Sequence, residues 1–127
     1  MSLLKVSSGL RDAMLNTGSF ASVMEAGNGG CIKIYSGAVP SSANDAATGT
    51  LLLTVTTSGI TTGTAGSTLL FSAPSNGLIS KEATAWTGTA VATGSPSYFR
   101  HVATGDTGAL STTEPRIQGD VGIVGAA

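Results

Sequence analysis

From Gly30 onward, apolar side chains fall at alternate positions in short runs, and Gly, Pro, Asn and Ser separate the runs. Alternation of this kind belongs to extended chain, because successive Cβ atoms point to opposite faces of a strand. The first run sets Ile32 and Ile34 against Cys31, Lys33 and Tyr35 and closes at Ser36-Gly37. A loop of small residues follows over 40–49, then a strand over 50–57 that turns Leu51, Leu53 and Val55 to one side, with Leu52 breaking the pattern. Residues 58–66 read as a connection. Further strands are expected at 68–71, 78–85, 87–92, 98–103 and 117–121, with Asn76-Gly77 at the centre of a turn. In the 98–103 strand Phe99 and His101 share one face, and Tyr98, Arg100 and Val102 the other. Short strands at this spacing predict an all-β sandwich or barrel and not a βαβ layout.

Residues 7–24 are different. Leu10, Ala13, Met14 and Thr17 recur at helical spacing, Ser7 or Ser8 is placed to cap the first turn, and Gly18 supplies a stop. A second short turn is expected over 19–24. Gly27, Gly29 and Gly30 then make regular structure costly, since each glycine loses extra backbone entropy. The expected organisation is a helical arm over 1–29 and a β-domain over 30–127, within the size of one domain.

Charged residues make up 10% of the chain, against roughly 25% in an ordinary soluble domain, and the net charge is -1. Such a surface repels its own copies weakly and favours assembly. The basic residues Lys5, Arg11, Lys33, Lys81, Arg100 and Arg116 are scattered, which argues against a direct nucleic-acid partner. Met1-Ser-Leu-Leu-Lys5 does not open a secretory signal, and no apolar run approaches the ~20 residues a bilayer needs, so no membrane partner is expected.

Motifs that could carry chemistry are few. Asp106-Thr-Gly108 matches the tripeptide of retroviral-type aspartic proteases, but it does not follow an apolar strand directly and that chemistry needs paired carboxylates. Asp106 is therefore read as a hairpin tip that assembly would tolerate losing. The glycine-rich stretch 63–68 lacks the lysine of a phosphate loop. His101 is the one histidine and has no spaced metal or triad partner. Cys31 lies on a strand as packing, with no internal disulfide partner. Trp86 reads as a core plug ahead of an interface anchor. Asp106 and Asp120 lack the dense ligand spacing of a calcium loop. No catalytic residue, cofactor or metal site is expected, and the chain reads as a structural part rather than an enzyme. Ile123 and Val124 follow the last strand and invite pairing with another chain. The candidate interface is Ile32, Ile34, Tyr35, Ile117, Val121, Ile123 and Val124, on strands expected to form edges.

Ile32-Lys-Ile-Tyr-Ser-Gly37 followed by Pro40, Ala46-Ala-Thr-Gly-Thr-Leu-Leu52, and Tyr98-Phe-Arg100 followed by Gln118-Gly-Asp-Val-Gly122 resemble, in order and spacing, a family of small tailed-bacteriophage virion proteins. The resemblance covers most of the chain from Leu10 to Gly122. It implies an antiparallel, jelly-roll-like β-sandwich behind a short N-terminal helical arm, a place in the virion after assembly in the host cytoplasm, and a role as a capsid decoration (cement) protein. The implied partners are copies of the chain itself, as a homo-oligomer, and the major capsid protein. Either of these would supply the further strand with which family members continue. A tail- or fibre-associated module is the alternative, with Tyr35, Trp86 or Tyr98 stacking on a receptor sugar or packing on another tail protein.

Overall fold

Ser7 marks the point at which strand gives way to helix. Its Oγ accepts from the Leu10 N–H at 3.2 Å, capping the first helix, and its backbone N–H donates to the Arg116 carbonyl at 2.9 Å. The computed structural model describes residues 4–26, 30–57 and 69–122. In chain order the elements are β1 (Lys5–Val6), α1 (Ser8–Asn16), α2 (Phe20–Met24), β2 (Cys31–Tyr35), β3 (Leu51–Thr56), β4 (Thr87–Ala90), β5 (Tyr98–Val102) and β6 (Arg116–Asp120). The strands form one open antiparallel six-stranded sheet in the order β1-β6-β5-β2-β3-β4.

The fold is all-β with two short helices, as the alternation predicts. No second sheet faces the first among the described residues; the connections 36–50 and 103–115 fold over one of its sides instead. The expected strands at 68–71 and 78–85 reduce, where described, to isolated bridges, Gly30 with Leu69, Phe71 with Lys81 and Ser75 with Leu78. Asn76 and Gly77 take positive φ between the last two, as an Asn-Gly turn requires. The expected helix divides in two, because Thr17 and Gly18 both donate to the Ala13 carbonyl and Ser19 caps the next turn. Met14, placed by spacing on the packed face, is largely exposed, while Leu10 is buried with Val23 and Met24.

The described part of the expected arm, residues 4–26, is stitched into the sheet. Lys5 and Val6 pair with Gln118 and Ile117, making β1 an outer strand of the same sheet as the β-domain. The Glu25 carboxylate accepts from the Phe71 N–H, tying the end of the helical segment to the following chain. No helix among the described residues is long and apolar enough to cross a membrane.

Candidate interaction surface

Alternation separates two sets of side chains, and the registers show which neighbours each set meets. One face carries the row Lys5, Gln118, Arg100, Lys33, Thr54 and Thr89; the other carries Val6, Ile117, His101, Ile32, Val55 and Gly88. The polar face is the deeply buried one. Tyr98, Arg100, Arg116, Gln118, Thr54 and Thr56 are all fully buried, whereas Ile32, Ile34, Leu53, Val55, Phe99 and Ile117 on the apolar face are only half-buried.

The inversion follows from what covers the polar face. Connections without regular structure bring carbonyls that need donors, and a guanidinium offers five N–H groups in a fixed fork. Arg116 donates from Nη1 to the Ala43, Asn44 and Asp45 carbonyls at 3.3–3.4 Å and from Nη2 to Ala109 O at 2.6 Å. Its Nε and Nη2 also hold the Asp106 carboxylate at 2.6 and 2.8 Å. Gln118 Nε2 and Lys5 Nζ both donate to Pro40 O, and Arg100 Nε donates to Gln118 Oε1 at 2.9 Å. The Tyr98 hydroxyl donates to Thr48 O and accepts from Thr48 N–H, pinning 36–50 from below. Burial, with the Arg116 guanidinium nearby, lowers the Arg100 pKa, and the Arg100 guanidinium lies 6.0 Å over the Tyr98 ring.

Asp106 does sit in a turn of the connection between the antiparallel neighbours β5 and β6, but its side chain is buried and not exposed at a tip. Its carboxylate takes both arms of the Arg116 fork and also accepts from Gly108 N–H at 2.7 Å, and Lys33 Nζ donates to its carbonyl. Both oxygens of this carboxylate are therefore taken up by donors of the chain itself. The two tyrosines expected to be available for stacking are stacked on each other instead, with ring centroids 5.0 Å apart and planes at 10°, and both are buried. Burial, with the Tyr98 hydroxyl beside it, pushes the Tyr35 pKa up to about 12.

On the apolar face, His101 sits in an aromatic cluster with Phe71 at 5.9 Å and Trp86 at 6.4 Å between centroids. Trp86 also meets Phe71 edge-on at 5.9 Å but stays half-buried, not the fully buried core plug expected. Burial holds the His101 pKa down to about 4. An apolar groove of about 500 Å³ opens between this face and α1, lined by Val6, Leu10, Met14, Phe20 and Ile117. Cys31 is buried on the opposite face, and burial raises its thiol pKa. No cluster of three or more potential metal ligands occurs among the described residues.

The candidate interface residues do not form the expected edges. Ile32, Ile34 and Tyr35 lie on β2, paired on both sides by β5 and β3, and Ile117 lies on β6 between β1 and β5. Their main-chain groups are used within the sheet. The structure brings Ile32 and Ile117 onto the same face, flanking His101, with Ile34 alongside; Tyr35 points to the other face. Val121 follows β6 and donates its N–H to Ser97 O, and Ile123 and Val124 lie outside the described residues. Among the described residues the edges are β1 and β4. The outer strand β4 is exposed at every position, and no charge in Thr87-Gly-Thr-Ala90 marked it in the sequence. Comparison with protein-family models, with curated proteins and with solved structures returned no match.

Proposed function

We propose that this chain is a bacteriophage virion structural protein, a capsid decoration (cement) protein that stabilises the head through protein–protein contacts with the major capsid protein and with copies of itself. The observation that carries the reading is the disposition of charge. The chain has only six Lys and Arg and seven Asp and Glu. Arg100, Arg116 and Asp106 are buried, so the surface carries even less charge than the composition implies. A surface of hydroxyls and half-buried apolar groups pays little desolvation on contact. The order of the Ile-Tyr-Ser-Gly, Ala-Thr-Gly-Thr-Leu-Leu and Tyr-Phe-Arg segments, resembling small tailed-phage virion proteins, supplies the context.

The role is non-catalytic in this reading. Asp106, the one residue with a motif match to an enzyme, serves the internal network. The buried Tyr35 and Tyr98 do not favour the tail-module alternative, which is left with the half-buried Trp86 as a stacking platform.

Labelled protein mixed with expanded capsids and imaged by electron microscopy tests the proposal. Regular density on the shell is expected. Density confined to the tail would transfer the chain to the tail alternative, and absence of particle binding would overturn a virion role.

A further inference from the structure

The outer edge of β4 has the geometry of a self-complementary strand. Val91 N–H donates to Leu52 O at 2.8 Å, which makes Val91 and Leu52 a hydrogen-bonded pair of the antiparallel ladder. Such pairs alternate with non-bonded ones, so in the observed register Thr89 with Thr54 and Thr87 with Thr56 bond inward. Gly88 and Ala90, opposite Val55 and Leu53, therefore direct their N–H and C=O groups away from β3.

Edges of this kind are usually blunted by lysine, proline, a bulge or a covering segment. Residues 87–92, Thr-Gly-Thr-Ala-Val-Ala, contain no charge and no proline. The β3–β4 register has no shift, and every residue of β4 is exposed. The opposite edge differs. The outer strand β1 is only two residues long and carries Lys5.

We infer that β4 pairs antiparallel with β4 of a second copy about a two-fold axis at Thr89, joining the two sheets into one. The partner is a second copy because the edge matches itself. With Thr89 opposite Thr89 of the other copy, Gly88 of each chain faces Ala90 of its mate, and every outward donor and acceptor of both strands finds a partner. A register centred on Gly88 or Ala90 would leave some of these groups unpaired within the strand. The two threonines meet in a non-bonded pair, where side chains approach most closely and Thr–Thr contacts are favourable. No like charges are brought together. The two-fold axis closes the assembly, because the contact consumes the same edge on both copies. The pairing gives the self-association of the proposed virion role a definite geometry and to that extent rests on it. It is measured on the free protein, so its failure and failure of capsid binding are separable.

Thr89→Cys tests the register directly. Paired across the axis, the new thiols lie within disulfide reach, since Cα atoms of a non-bonded pair are about 4.5 Å apart. Mild oxidation should convert most of this variant to a covalent dimer. Thr87→Cys should not cross-link, because its copies stand about 13 Å apart along the strands in that register. Sedimentation of the wild-type chain should give twice the 12.4 kDa chain mass. Ala90→Pro removes an outward N–H without touching the β3 ladder and should halve that mass with an unchanged circular dichroism spectrum. Thr89→Lys, which sets two ammonium groups against each other, should do the same and serves if the proline variant does not fold. A wild-type chain that stays monomeric at the highest soluble concentration would overturn the inference. So would cross-linking of Thr87→Cys in preference to Thr89→Cys, or a Thr89→Lys variant of undiminished mass.

Discussion

Arg116 and Asp106 form a bidentate ion pair, Nε to Oδ2 at 2.6 Å and Nη2 to Oδ1 at 2.8 Å, with side chains only 1% and 0% exposed. The remaining Arg116 donors reach carbonyls from both connections that cover the polar face. One guanidinium thus closes the fold where a second sheet would otherwise be needed. Removing one member strands a buried charge, which costs about 3–5 kcal/mol. Asp106→Ala should lower the urea midpoint by a corresponding amount. Arg116→Lys should be nearly as damaging, since an ammonium cannot reproduce the planar fork. If Asp106→Ala unfolds within a few tenths of a molar of wild type, the network is not what holds the connections down.

Gly9 offers a prediction of sign. In an exposed helix, glycine to alanine stabilises by about 1 kcal/mol. Here a Cβ on Gly9 would lie 2.3 Å from the backbone carbon and oxygen of Thr113. Those atoms belong to the connection that Ser7 holds through its hydrogen bond to Glu114 O. Gly9→Ala should therefore destabilise the protein, read as a fall in the thermal midpoint, despite its better helix propensity.

His101 should make the protein acid-sensitive. Its folded pKa, about 4, lies below the ordinary 6.5, so between those values the unfolded chain binds more protons than the folded one. Stability from this residue is fully present above pH 6.5 and is lost as the pH falls toward 4. The loss is on the order of 3 kcal/mol. His101→Phe, which keeps a ring against Phe71 and Trp86, should flatten the profile over that window. Unfolding curves from pH 4 to 7 that remain parallel for the two proteins would refute the assignment.

Cys31 should be inert while the protein is folded. It is buried, and burial raises its pKa, so both access and thiolate fraction are low. A chromogenic disulfide reagent is expected to react within seconds in denaturant and at least about a hundredfold more slowly in native buffer.

Local signals in the sequence determined much of this protein. Alternation at Cys31–Tyr35, Leu51–Thr56 and Tyr98–Val102 located the strands and separated their faces, and Ser7, Ser19 and Gly18 bounded the helices, because dihedral preference and capping act within a few residues. Those signals could not say which face would be covered. Leu53 and Val55 look like the core side of β3, yet Leu52, Thr54 and Thr56 are the buried set. That outcome depends on the carbonyls of 36–50 and 103–115 meeting Arg116, Gln118 and Tyr98, contacts spanning up to 78 residues of sequence. Edge status was equally hidden. Ile32–Tyr35 looked like an edge and lies at the centre, while Thr87–Ala90 lies outermost, because strand order is set by long-range pairing that the composition of a single strand does not encode. The low charge legible from composition became a physical surface only when the tertiary structure drew two arginines and an aspartate inside.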